Sequence, residues 1–147
     1  MTFIILILLL SITVPFSFPQ SFTVQGEARF DGRGTVFVAL VDKESFRQPE
    51  KGIAYQVFPP MPEGQENPGK SSTLSFLFQE VPAGTYAIVG FVDTNGNGKL
   101  DTGLFGPTEP WGMSFRASRP FFRAPRFEEV SFTVPEEVRY FSIELQK

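Results

Sequence analysis

Residues 93–101 read Asp-Thr-Asn-Gly-Asn-Gly-Lys-Leu-Asp, a dense series of oxygen-bearing side chains broken by glycines. Hard cations such as calcium need several oxygens delivered by one sharply turning loop, and this spacing offers them. Asp93, Asn95, Asn97 and Asp101 stand at positions 1, 3, 5 and 9 of an EF-hand-type loop, with Gly98 at the turn position 6. The Lys99 carbonyl falls at position 7. Position 12, a bidentate glutamate in such loops, is Leu104, and Glu109 is near enough to fold back with the missing carboxylate. Two aspartates, rather than three or four acidic groups, predict a weak calcium site, on the order of 10⁻⁴ to 10⁻³ M, with a structural role. The alternative is an ordinary turn in which Asn and Asp bond their own backbone while Gly96 and Gly98 take positive φ.

A second set of residues lies just downstream. Arg116, Arg119, Arg123 and Arg126 interleave with Phe115, Phe121, Phe122 and Phe127 in a stretch free of acidic residues. Guanidinium forks and ring faces suit an anionic partner such as an acidic glycan or a lipid headgroup. In the plainer reading the rings plug a sheet edge and the arginines face water or pair with the loop carboxylates. Trp111, the single tryptophan, either offers a stacking platform to a sugar or caps the open end of a core.

Other chemistries are excluded by composition. The chain has no histidine and no cysteine, which removes Ser-His-Asp and Cys-His catalysis, histidine-bearing zinc sites and any disulfide framework. Glu128 and Glu129 are adjacent, so on a strand they would face opposite sides and cannot flank one glycosidic bond. A hydrolase that used the metal to polarise its substrate would need an open coordination position. A net charge of −3 argues against nucleic acid, whose binding rests on neutralising many phosphates.

The elements that must position these residues read as strands. The 147 residues suit one domain. Residues 3–14 are almost wholly apolar and Pro15 and Pro19 follow them, too short a run for a transmembrane helix of roughly 20 residues. We read residues 1–20 as a secretory signal, with an uncleaved anchor as the alternative, and 21–147 as the domain. Without disulfides, an exported domain relies on burial, and the chain's 18 phenylalanines, all but Phe3, Phe16 and Phe18 within that domain, are then core.

Phe22, Val24, Gly26, Ala28 and Phe30 alternate with polar residues, as in a half-buried strand. Residues 35–41 are nearly continuous in β-branched and aromatic residues, as in a central strand covered on both faces. Ile53, Tyr55 and Val57 alternate again, and residues 59–72 form a polar, proline- and glycine-rich loop. Leu74, Phe76 and Phe78 mark another inward face, and residues 85–92 a further strand that runs straight into the oxygen-rich loop. Four prolines between 105 and 127 preclude a long helix there. Val130, Phe132 and Val134, then Phe141, Ile143 and Leu145, complete about seven strands. The expected fold is an all-β, antiparallel β-sandwich of transthyretin-like or immunoglobulin-like arrangement.

The corner Val81-Pro82-Ala83-Gly84-Thr85-Tyr86 resembles one shared by transthyretin-like modules. There Pro82 fixes φ, Gly84 permits positive φ, and Tyr86 buries its ring while its hydroxyl finds backbone. Three further segments extend the likeness: Gly84-Thr85-Tyr86-Ala87-Ile88, residues 93–102, and Phe105-Gly106-Pro107-Thr108-Glu109-Pro110-Trp111-Gly112-Met113-Ser114. With residues 125–132, they resemble the bacterial family termed domain of unknown function 2141, over roughly residues 22–145. That family often carries histidine just before the first aspartate, where this chain has Val92. The resemblance implies an exported bacterial β-sandwich and leaves activity open.

The resulting expectation is a secreted or periplasmic, monomeric, non-catalytic module of the cell envelope with a Ca²⁺-stabilised loop. Its partner would be an envelope protein or a glycan, with no nucleic acid and no membrane span once the signal is removed. The alternative is a carbohydrate-binding module that uses Trp111 and the Arg/Phe-rich segment 115–127.

Overall fold

A computed structural model describes residues 20–31, 33–60, 62, 71–115, 123–138 and 140–147. Residues 1–19 of the proposed signal, most of the 59–72 loop, and Arg116, Arg119, Phe121 and Phe122 lie outside the described residues. The strands are β1 (Ser21–Phe30), β2 (Thr35–Val41), β3 (Ala54–Phe58), β4 (Ser72–Pro82) and β5 (Gly84–Asp93), followed by β6 (Thr102–Gly103), β7 (Gly106–Pro107) and β8 (Trp111–Met113). A single helical turn, α1 (Phe127–Val130), precedes β9 (Phe132–Val134) and β10 (Tyr140–Leu145). All seven expected strands are present, and β6, β7 and β8 are additional short ones.

The fold is an all-β sandwich. One sheet has the order β10-β1-β4, and the other runs β3-β2-β5-β8, with β9 also on β5. One pair is not antiparallel: β1 and β10 run parallel, with Gly26 opposite Phe141 and Ala28 opposite Ile143. They are the first and last strands, so no tight connection constrains their direction. Between the sheets lies the main core, with Val24, Ala28, Phe76 and Phe78 facing Val36, Val38, Leu40 and Ile88, and Phe132, Phe141 and Ile143 filling one side. The Phe132 and Phe141 rings lie 4.4 Å apart. A smaller cluster covers the other face of β2 and β5, where α1 and Phe46 pack Phe127 and Val130 against Ala39, Val41, Ala87 and Val89. Coverage on both faces explains the unbroken apolar sequence of β2 and β5.

Three local expectations need correction. Val130 belongs to the helical turn, whose C-cap Ser131 returns its N–H to the Phe127 carbonyl. This turn lets Phe127 and Val130 reach the same outer cluster, which a strand's alternation also permits only at even spacing. In β3 and the residue before it the outward set is Ile53, Tyr55 and Val57, 45–59% exposed, while Ala54 and Phe58 pack on the core. The same edge turns Gln56 toward β4, where its Oε1 accepts the Leu77 N–H at 2.8 Å. Finally, Gly84 is not among the positive-φ residues. A Cβ there would meet the Tyr86 hydroxyl at 2.9 Å, so glycine makes room for the ring. The Tyr86 hydroxyl donates to the Pro82 carbonyl at 3.2 Å, as the corner requires.

Candidate functional site

The oxygen-rich loop is the outermost part of a hairpin fixed by strand register. β5 and β8 pair antiparallel, with Val89 opposite Met113, Gly90 opposite Gly112 and Phe91 opposite Trp111. The Val92 N–H then donates to the Pro110 carbonyl at 2.9 Å. One more step along this ladder brings Asp93 beside Glu109. The chain between them folds into a second, smaller hairpin, in which β6 and β7 pair Thr102 with Pro107 and Gly103 with Gly106. Register, not sequence proximity, therefore returns Glu109 to the start of the loop.

Asp93 is 4% exposed and Glu109 3% exposed. The Asp93 carboxylate accepts backbone N–H groups from Gly96 at 2.7 Å, Asn97 at 3.2 Å and Gly98 at 2.7 Å. This wraps the chain around one oxygen pair and requires the left-handed backbone at Gly96 (φ +77°) and Gly98 (φ +73°). Asn95 Oδ1 accepts the Asn97 N–H at 3.1 Å, and Asn97 Oδ1 accepts the Lys99 N–H at 2.9 Å. The two amide nitrogens converge: Asn95 Nδ2 and Asn97 Nδ2 donate to the same Asp101 oxygen, Oδ2, at 2.6 and 2.8 Å.

Glu109 closes the base. Its Oε1 accepts the Thr94 N–H at 2.7 Å and the Thr94 hydroxyl at 3.0 Å, while Oε2 accepts the Asp101 N–H at 3.3 Å. It thus ties together the first and last residues of the segment 94–101. Among the described residues, no lysine or arginine is in ion-pair contact with Asp93, Asp101 or Glu109. Nor do any three or more His, Cys, Asp or Glu side chains there form a group suited to a metal ion. The loop's oxygens are two aspartates, two amides and the Lys99 carbonyl, and Asp93, the two amides and Glu109 all accept backbone N–H groups. That set is hard and oxygen-only, the chemistry of calcium rather than of zinc or copper.

The second candidate set is placed differently. Arg123 is exposed and forks onto Glu129, with Nη1 donating to Oε2 at 2.9 Å. This fork, with the Arg126 N–H donating at 2.8 Å, lowers Glu129 from 4.5 to about 2. The pairing is therefore with a carboxylate of α1, not with the loop. Trp111 is half-buried on β8, in a lateral row with Phe91, Phe37 and Val57 across four strands. Phe37 and Phe91 stack at 4.9 Å with planes 2° apart. The Trp111 backbone also exchanges two 3.1 Å hydrogen bonds with Gln146, which stitch β8 to the end of β10.

Sequence reasoning missed Thr94 as a partner of Glu109, and Leu104 and Phe105 as a feature. The last two form the turn between β6 and β7 and are 92% and 100% exposed. Their signal was an apolar pair between Gly103 and Gly106-Pro107, inside a segment otherwise rich in turn formers.

Neither curated proteins nor solved structures gave a match to the chain. A family model, described as an uncharacterized protein conserved in bacteria (DUF2141), matches residues 27–141, a span that holds the oxygen-rich loop, its closing glutamate, the whole β3-β2-β5-β8 sheet and β4, with parts of β1 and β10. The chain belongs to this bacterial family.

Proposed function

We propose that this protein is a non-catalytic, exported module of the bacterial cell envelope in which segment 93–109 is a calcium-responsive end. One observation carries the reading: among the described residues, Asp93 and Glu109 are buried carboxylates in ion-pair contact with no lysine or arginine, in a loop with a third carboxylate at Asp101. Buried charges are costly unless neutralised or well bonded. Backbone N–H groups do part of that work, and a hard cation would complete it. Asp93, Asp101, the Asn95 and Asn97 amide oxygens and the Lys99 carbonyl would hold the cation, which would supply positive charge to the loop carboxylates. Glu109 remains the latch on Thr94 and Asp101. The cation stiffens the loop and performs no chemistry.

A weak site of this type has a dissociation constant on the order of 10⁻⁴ to 10⁻³ M. At about 10 mM calcium it stabilises the fold by about 1.4 to 2.7 kcal/mol. That corresponds to a rise in melting temperature of about 4 to 10 °C for a domain of this size. Calorimetric titration and thermal melts with and without calcium test it, with Asp93→Asn expected to remove both signals. No heat and an unmoved melting temperature would sink the proposal. The carbohydrate alternative draws less support, because Arg123, one of the two described arginines of segment 115–127, is engaged by Glu129.

A further inference from the structure

We propose that the Leu104–Phe105 turn is a membrane-inserting tip, which docks this end of the sandwich on a phospholipid surface. The two side chains are 92% and 100% exposed, against 42–59% for the other exposed large apolar residues among those described. They are neighbours at the apex of a hairpin within a hairpin, so they project together and away from both sheets.

The projection is built rather than loose. Thr102 and Gly103 pair with Pro107 and Gly106. The Asp101 carbonyl accepts the Thr108 N–H at 2.9 Å and its hydroxyl at 3.3 Å. Backbone groups beside the tip therefore pair across it, and insertion would carry apolar side chains into lipid without a train of unpaired donors. Exposed Thr102 and Thr108 stand one level behind, at the height of the headgroups.

The shape selects lipid over a protein partner. A stable protein interface needs about 800 Å² from each side, and two convex side chains flanked by glycines supply far less. An acyl layer, by contrast, moulds to any apolar projection and asks for no complementary pocket. Carboxylates at Asp93, Asp101 and Glu109 lie at the hairpin base, so a zwitterionic phosphocholine surface with no net charge fits the tip without any cation. The inference thus goes beyond the calcium reading and stands without it.

The test uses the full chain on phosphocholine vesicles in a calcium chelator, so that cation bridging contributes nothing. A single-tryptophan chain, Trp111→Phe with Phe105→Trp, reports the tip locally, whatever else holds the chain to the vesicle. Emission should shift to the blue and be quenched at least twofold by lipids brominated near the headgroup. Adding Leu104→Ser should weaken insertion by about tenfold, the worth of burying one such side chain. In a Trp111→Phe chain with Tyr55→Trp on the β3 edge, quenching should be absent. Water-like emission from the tip reporter, or equal quenching at both positions, would overturn the proposal.

Discussion

Replacing Glu109 with glutamine changes one atom and should loosen the whole loop. The glutamate accepts three hydrogen bonds with two oxygens while 3% exposed. Glutamine has one acceptor oxygen. Oriented toward Thr94, it keeps the N–H and hydroxyl bonds at neutral strength, and its own NH₂ then faces the Asp101 N–H, donor against donor. A bond to a charged acceptor contributes about 1.5 to 3 kcal/mol and a neutral one about 1. The 3.3 Å bond to Asp101 is long, so its share sits at the low end. The expected cost of Glu109→Gln is about 2 to 3 kcal/mol, against a total stability of about 5 to 15 for a small domain. With a urea slope of about 1 to 3 kcal/mol per molar, the midpoint should fall by about 0.7 to 3 M. Amide hydrogen exchange localises the effect: Thr94 and Asp101 should lose protection while β1 and β4 keep theirs. A midpoint within about 0.3 M of the parent, with both amides still protected, would refute the latch.

Two further predictions concern the other end of the segment. Ser114→Ala removes the hydroxyl that accepts the Ile88 N–H at 2.7 Å and donates to the Val130 carbonyl at 2.9 Å, both buried. Two orphaned groups should cost about 2 to 4 kcal/mol in denaturant unfolding, and a loss under about 0.5 would show that the hydroxyl is dispensable. Arg123→Ala should raise the Glu129 midpoint from about 2 toward 4.5 in an NMR carboxyl titration. Because the folded value is depressed, the parent gains stability from this pair above pH 4.5 and loses it as pH falls through about 2, and the variant should lack that component. An unmoved midpoint would place the cause elsewhere.

Much of the sandwich is legible in the sequence because its strands have one apolar parity. In β1 and β10 every second residue is apolar, and those residues are the buried ones. Parity fails in β3, where Ile53, Tyr55 and Val57 look as apolar as Ala54, Gln56 and Phe58. The choice there is made by the edge position and by Gln56 reaching the Leu77 N–H, a contact 21 residues away. The helical turn at Phe127 is hidden for a similar reason, since both Phe127 and Val130 are apolar and only packing on Phe46 and Val89 decides the conformation. In the candidate site, the local Asx and glycine pattern announces Asp93, Asn95, Asn97 and Asp101. The place of Glu109 follows from the β5–β8 register, which no local pattern encodes. Leu104 and Phe105 are invisible as a feature until the smaller hairpin places them at its apex.

Asp101 is where these parts meet, and its bonds show why the loop and the tip act as one unit. Its carboxylate holds the Asn95 and Asn97 amides, its N–H is held by Glu109, and its carbonyl holds Thr108 at the foot of the tip hairpin. The Asp93 carboxylate, by contrast, accepts within the first turn, from Gly96, Asn97 and Gly98, while its backbone lies opposite Thr35 in the β2–β5 ladder. A cation that pulled on the Asp101 carboxylate would shift a residue whose carbonyl and N–H fix the base of the β6–β7 hairpin. Strain entering at the oxygen-rich loop therefore has a covalent and hydrogen-bonded route to Leu104 and Phe105, while β5 and β8, locked by their ladder and by Ser114, stay in place. In the proposed function the sandwich is the mount, and segment 93–109 is the part that would respond.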